Sequence, residues 1–134
     1  MPWKRALIAW VGIALTEIVH GTLRAIFLAP LVGDWRSRQL GVGTGSMLIL
    51  VIACLTIRWI GVRSRGALLK VGLLWLALML TFEFAAGRLI AGFSWNRILS
   101  DYDLPHGGLL PIGMLVLVAS PYLAARIRGV LPPG

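Results

Sequence analysis

The sequence predicts an all-α protein, a four-helix transmembrane bundle whose helices run up, down, up and down through the bilayer. Of its 134 residues, 58% are hydrophobic and only 13% are charged, whereas about 25% of an ordinary soluble domain is charged. Four apolar stretches approach the roughly 20 residues that span a bilayer as a helix. The connections are short, so neighbouring helices should be antiparallel. We interpret residues 1–134 as a single integral membrane domain, with helices over approximately 6–29, 40–60, 67–87 and 109–125.

The first stretch, residues 6–29, follows Lys4 and Arg5 and is interpreted as an uncleaved helix. A cleaved secretory signal would end in a small-residue site. Glu17 and His20 follow instead, and the apolar pattern continues to Ala29.

The second stretch, residues 40–60, opens with Gly41 and Gly45, one helical turn apart. Small residues at this spacing allow another backbone to approach closely. A phosphate-binding glycine loop would need a preceding strand and a lysine after its last glycine, and the sequence offers neither. We therefore predict that both glycines serve helix packing and offer one contact for a second copy of the chain.

The third stretch, residues 67–87, carries Glu83, and the fourth, residues 109–125, has Pro111 near its start, where proline is tolerated. Between them, residues 94–108 place apolar side chains at helical spacing, and Ser94 is a suitable N-cap. We predict a short amphipathic segment on the outer membrane surface. It is either a loop anchored by aromatic side chains or a lid over the outer half of the bundle.

The cations predict the orientation, because short cytoplasmic loops are enriched in lysine and arginine. The net charge is +8, and all of it falls on the side that holds both termini and the loop between helices two and three. The other side holds five arginines and all five acids, so both termini should be cytoplasmic. The cations of the cytoplasmic side are Lys4, Arg5, Arg58, Arg63, Arg65, Lys70, Arg126 and Arg128.

Charged side chains inside a span are costly and indicate a functional site. Glu17, His20 and Arg24 follow one another at i, i+3 and i+7, which places them within about 60° on one helix face. Glu83 lies toward the outer end of the third stretch. We predict that these four residues form a polar network in the outer half of the bundle, which binds a substrate or protons.

Three explanations of this network remain open. It could be structural, with Arg24 paired to Glu83 across helices and His20 bridging them. It could serve transport, because a buried glutamate beside a histidine can exchange a proton near neutral pH. It could bind a metal, because Glu17 and His20 form an E-x-x-H pair like those of di-iron helical bundles.

Two resemblances add expectations. Glu17, Gly21, Thr22 and Leu23 resemble the first helix of small multidrug resistance transporters, in which a membrane glutamate serves protons and cationic drugs in turn. The wider order of features resembles an uncharacterised family of small bacterial four-helix inner-membrane proteins, which implies the fold and the membrane but no reaction. The matching features are Gly21-Thr22-Leu23-Arg24, Leu28, Pro30, Gly33, Glu83 and the outer segment ending near Tyr102.

Together these patterns predict a multi-pass protein of the bacterial inner membrane that is not an enzyme and uses no cofactor. The expected function is binding, permeation or an accessory role in a complex. A proton-coupled small-molecule transporter acting as a dimer, and a metal-binding membrane protein using Glu17 and His20, are the alternatives. The expected partners are the lipid bilayer and a second copy or larger membrane complex, with no nucleic acid, because the basic residues lie between apolar runs.

Overall fold

The computed structural model describes residues 3–130 and confirms an all-helical protein with four long apolar helices. Within that range the chain has no strand. Each long helix has the length and composition to cross a membrane, so the protein is a multi-pass membrane protein. The two chain ends, whose cytoplasmic location was part of the predicted topology, lie outside the described residues. The first to fourth helices are Trp3–Val32, Asp34–Ile60, Arg65–Ile90 and Leu110–Ile127.

The first helix is longer than predicted and changes its winding near its end. It is α-helical over Trp3–Leu23, continues as a π-helical turn over Arg24–Leu28 and closes with an α-helical turn over Ala29–Val32. Its early start has a physical reason in Arg5. The guanidinium of Arg5 donates to the carbonyl oxygen of Trp59 at 2.8 Å and lies over the Trp59 ring, so the first turn is held against the second helix.

The second helix begins at Asp34, six residues before the predicted membrane span over residues 40–60. Only Gly33 separates the first two helices, and its φ of 93° is a conformation that glycine adopts readily. Asp34 and Arg38 lie one turn apart and form an ion pair at 3.1 Å. Apolar length alone could not predict this turn, because paired charges continue the helix there.

The third and fourth helices agree more closely with the prediction. The third helix is α-helical over Arg65–Ala85 and π-helical over Ala86–Ile90. The Ser64 hydroxyl caps its start by accepting from the Ala67 amide at 3.1 Å. The fourth helix, Leu110–Ile127, continues through Pro121.

Residues 94–108, here called the cap segment, contain the predicted short helix over Trp95–Ser100 and a 3₁₀ turn over Leu104–His106. The hydroxyl of Ser94 accepts from the Arg97 amide at 3.2 Å, as expected of an N-cap. Ile98 is buried and its side chain lies against Gly87 of the third helix. The cap segment is thereby packed on the third helix.

The tightest packing lies near the start of the first and third helices. The fourth helix packs against both the second and the third, and the first packs mainly against the second. The indole of Trp75 is fully buried and donates to the carbonyl oxygen of Ala6 at 2.9 Å. Fully or almost fully buried side chains concentrate there, which leaves more space in the other half of the helices. They include Ile13, Ala53, Ile57, Ile60, Leu68, Val71, Leu117, Ala124 and Ala125.

Candidate binding cavity

A cavity of about 720 Å³ lies between the helices and the cap segment. All four helices and the cap segment contribute to its wall. The four residues predicted from the sequence as the polar site all line it, and so do both predicted packing glycines. They are Glu17, His20, Arg24, Glu83, Gly41 and Gly45.

Gly41 and Gly45 make room for the polar side chains of the first helix. A Cβ atom at position 45 would lie 3.0 Å from Oε2 of Glu17, and one at position 41 would lie 2.8 Å from Cδ of Arg24. The space that the two glycines leave is therefore filled by side chains of the first helix. Both glycines lie against side chains of their own chain.

His20 connects the first and second helices. Its Nε2 lies 2.7 Å from the hydroxyl of Thr44, and its Nδ1 lies 3.6 Å from Oε2 of Glu17. The Thr44 hydroxyl itself donates to the Leu40 carbonyl at 3.3 Å, so it accepts the Nε2 hydrogen. This arrangement leaves Nδ1 facing the Glu17 carboxyl, where a single proton can reside on either group.

The two glutamates of the cavity have few partners. Oε1 of Glu17 is buried and no described residue donates to it. Within residues 3–130, no hydrogen bond or ion pair engages the Glu83 carboxyl. The two carboxyl groups are close enough to interact electrostatically, and Glu83 also interacts with Asp101. The cavity therefore has a cluster of acceptors with unused capacity.

Arg24 points to a neutral partner. Its guanidinium donates to the hydroxyl of Ser37 at 2.8 Å, and that hydroxyl donates to the Asp34 carbonyl at 2.8 Å. Ser37 is fully buried. The expected pair between Arg24 and Glu83 is not among the ion pairs of the part of the chain that the structure describes. The guanidinium charge of Arg24 thus remains without a carboxylate partner among those residues.

A second group of charged side chains links the cap segment to the second helix. These pairs were not predicted from the sequence. Arg38 donates to Oδ1 of Asp101 at 2.8 Å and lies 3.1 Å from Oδ2 of Asp34. Arg97 of the cap segment donates to the same Asp34 oxygen at 3.1 Å. The amide of Gln39 donates to the carbonyl oxygen of Gly107 at 2.8 Å. The two arginines and the two aspartates of this group therefore neutralise one another's charge.

Two cap-segment residues in the cavity wall have shifted pKa values. Burial raises the pKa of Asp101, and Arg38 only partly offsets this. Burial also raises the pKa of Tyr102, with Glu83 and Asp101 as further causes. The Tyr102 ring stacks on Phe84 at 5.6 Å between centroids, and its hydroxyl is buried without a partner among the described residues. The Tyr102 hydroxyl therefore stays protonated and able to donate.

The rest of the wall is apolar. Phe82 and Met79 come from the third helix, Ile49 from the second, and Met114 and Leu117 from the fourth. A ligand in this cavity would meet a polar cluster and an apolar wall together, which is the usual composition of a small-molecule site.

The metal alternative has little support in this geometry. Residues 3–130 contain no group of three or more His, Cys, Asp or Glu side chains placed to hold a metal ion. Glu17 and His20 are two ligands, and Glu83 does not complete a set with them.

The sequence identified the polar residues inside the helices and missed those that complete the site from outside the predicted spans. Trp35, Arg38 and Gln39 precede the predicted second span, which begins at residue 40, and Asp101 lies between the third and fourth predicted spans. One signal was available. Asp34 and Arg38 stand at i, i+4, the spacing of a helical ion pair, and this would have extended the second helix to include them.

Searches against protein-family models, curated proteins and solved structures find no match to this chain. Both family resemblances of the sequence therefore remain expectations.

Proposed function

We propose that this protein binds a small molecule inside the membrane, in the cavity beneath the cap segment, and receives an ammonium group of that molecule at Glu17 and Glu83. The protein acts as a binding or permeation protein, not as an enzyme. One observation carries the proposal. The polar residues of separate helices converge on one cavity of about 720 Å³, where the Glu83 carboxyl has no partner among the described residues.

The pairing of the other charges leaves the two glutamates as the carboxyl groups that an ammonium group can meet, while Arg24 bonds to Ser37. Arg38 and Arg97 are compensated by Asp34 and Asp101. A buried carboxylate without a counter-charge is costly, and a ligand that donates N–H bonds to it would remove that cost.

We place the cap segment on the outer side of a bacterial inner membrane, with both termini in the cytoplasm and the helices in an up-down-up-down bundle. The positive-inside rule supports this orientation. Contacts near the chain ends support the order of the helices, since Arg58 donates to the carbonyl oxygen of Arg128 at 2.8 Å. At the other helix ends Arg38 reaches Asp101.

Cysteine labelling in intact cells tests the orientation. In a Cys54→Ser background, Arg63→Cys should react only after the membrane is permeabilised, and Asp103→Cys should react from outside. Labelling of Arg63→Cys in intact cells would show that the orientation is reversed.

Binding is tested with two ammonium probes, dodecylamine and the water-soluble glycerophosphoethanolamine, titrated into the purified protein and measured by native mass spectrometry. At least one should bind, and Glu83→Gln should weaken it about tenfold or more. Asp103→Asn is the matched control, because Asp103 pairs with His106 at 2.9 Å and does not line the cavity. The proposal would be overturned by equal loss in the control, or if both probes and lysophosphatidylethanolamine, which carries the same ammonium head on an acyl chain, all fail to bind.

Proton-coupled transport by a dimer is the second candidate function, favoured by the Glu17 and His20 pair. With Nδ1 and Oε2 at 3.6 Å, a proton and an ammonium ligand would compete for the same carboxyl. In liposomes, a pH gradient should then drive dodecylamine uptake beyond passive leak, and Glu17→Gln should abolish that excess while the protein stays folded.

A further inference from the structure

The cavity has an open side between the first and third helices. Ile18, Ile26 and Ile90 line it, yet they are 46%, 58% and 85% exposed. A side chain that both lines a cavity and is exposed marks its mouth. The mouth is therefore bordered by apolar side chains of two membrane-spanning helices.

The described side-chain contacts between these two helices reach no further toward the cap segment than Phe82. Trp75 reaches Ala6, and the rings of Trp10 and Phe82 meet edge to face at 6.1 Å. Beyond these pairs the first helix lies against the second, where Glu17 meets Gly45. The first and third helices thus separate as they approach the cap segment.

Both borders of the mouth are π-helical. The turn over Arg24–Leu28 supplies lining residues on one side, and the turn over Ala86–Ile90 supplies them on the other. The amide of Ala91 donates to the Ala86 carbonyl at 2.9 Å, the i to i+5 bond of such a turn. π-Helical turns are rare and are found frequently at functional sites.

A mouth between two membrane-spanning helices opens toward the bilayer, and most of the side chains beside it are apolar. Leu89, beside the mouth, is 83% exposed, as a lipid-facing side chain would be. A ligand that enters here comes from the bilayer and carries an apolar part. A fully water-soluble solute would have to cross the hydrocarbon of the bilayer first.

The unpaired charges of the cavity specify the head of such a ligand. Glu83 offers a carboxyl group and Arg24 a guanidinium, and neither belongs to an ion pair among residues 3–130. The unpartnered Oε1 of Glu17 requires a donor, which a primary ammonium supplies and a quaternary one does not. A guanidinium binds phosphate well, because its fork of N–H groups matches phosphate geometry.

We infer that the cavity takes up, sideways from the bilayer, a lipid-like amphiphile whose zwitterionic head carries a primary ammonium and a phosphate. The ammonium binds at Glu17 and Glu83, the phosphate binds Arg24, and the chain lies along the apolar wall. This inference rests on the proposed binding function and adds the class of ligand and its route.

Four probes separate the parts of the inference by native mass spectrometry of the full chain. Lysophosphatidylethanolamine has all the required groups, and glycerophosphoethanolamine has the same head without the chain. Lysophosphatidylcholine keeps the chain and the phosphate but has no N–H donor, and dodecylamine has no phosphate. Lysophosphatidylethanolamine should bind at least tenfold more tightly than each of the others.

Two variants assign the head groups to residues. Arg24→Gln should weaken lysophosphatidylethanolamine about tenfold and leave dodecylamine unchanged, because only the first probe carries a phosphate. Glu83→Gln should weaken both. Loss of both probes in Arg24→Gln, with unchanged thermal stability, would contradict the assignment of the phosphate to Arg24.

The route is tested in nanodiscs with brominated-chain lysophosphatidylethanolamine, which quenches tryptophan fluorescence. Ile90→Phe, which enlarges a side chain at the mouth, should slow quenching severalfold. Leu89→Phe is the matched control, since Leu89 is equally exposed but does not line the cavity. Equal rates in the two variants would overturn the sideways route.

The outcomes distinguish this inference from the proposed function. If glycerophosphoethanolamine binds as tightly as lysophosphatidylethanolamine, the cavity is a site for soluble ammonium compounds, and the inference fails while the proposed function stands. If lysophosphatidylcholine binds equally well, the requirement for a primary ammonium is wrong. If none of the four probes binds, both proposals fail.

Discussion

Glu17 of the first helix and Gly45 of the second are fitted to each other, since a Cβ atom at position 45 would lie 3.0 Å from Oε2 and 3.3 Å from Oε1 of Glu17. Both carboxyl oxygens therefore occupy the space that a larger residue would take. A side chain at residue 45 would crowd the carboxyl, which would have to shift by a few tenths of an ångström. Gly45 thus controls where the cavity presents its acceptor.

Gly45→Ala should weaken dodecylamine binding severalfold by displacing the Glu17 carboxyl. Alanine favours a helix over glycine by about 1 kcal/mol, so the variant should stay folded. Gly43→Ala is the matched control, because a Cβ atom there would meet nothing within 4 Å. Both variants are measured by thermal unfolding in detergent and by native mass spectrometry. Equal binding in the two would show that the Glu17 carboxyl does not depend on Gly45.

Arg38 and Asp101 should be energetically coupled, because their hydrogen bond at 2.8 Å joins the second helix to the cap segment. Arg38→Gln, Asp101→Asn and the double variant should give a coupling free energy on the order of 1 kcal/mol in thermal unfolding. Hydrogen exchange over residues 94–108 should increase in each single variant. Arg36→Gln, at an exposed neighbouring arginine, should change neither. A coupling of zero would show that the cap segment is held by other contacts.

Asp101 should also make stability depend on pH. Burial holds its pKa above the ordinary value of 3.8 in the folded protein, so the folded state binds the proton more strongly than the unfolded state. Its contribution to stability therefore rises as the pH falls through the folded pKa and becomes constant below about 3.9. Relative to Asp101→Asn, the wild-type protein should gain stability in thermal unfolding between pH 7 and 4. A relative loss over this range would mean that the Arg38 pair outweighs burial.

The four long helices could be predicted from the length of the apolar stretches. The site could be predicted only in part. Glu17, His20, Arg24 and Glu83 were visible as polar residues inside apolar spans. Their partners were not, because the pairing of Arg24 with Ser37 depends on the early start of the second helix. The cavity mouth was also invisible in the sequence. It lies between two π-helical turns, one in the first helix and one in the third, and apolar periodicity predicts neither turn.

The crossing of the third and fourth helices at Gly72 should be the position least tolerant of a larger residue. A Cβ atom there would collide with the carbonyl oxygen of Val118, a backbone atom that cannot move without shifting the fourth helix. Gly72→Ala should therefore lower the free energy of unfolding by roughly 1 to 3 kcal/mol, the usual cost of overpacking, despite the better helix propensity of alanine. Gly12→Ala, where a Cβ atom would meet nothing within 4 Å, should leave stability unchanged or raise it. Thermal unfolding in one detergent compares the two, and a Gly72→Ala protein as stable as Gly12→Ala would show that the helices do not cross this closely.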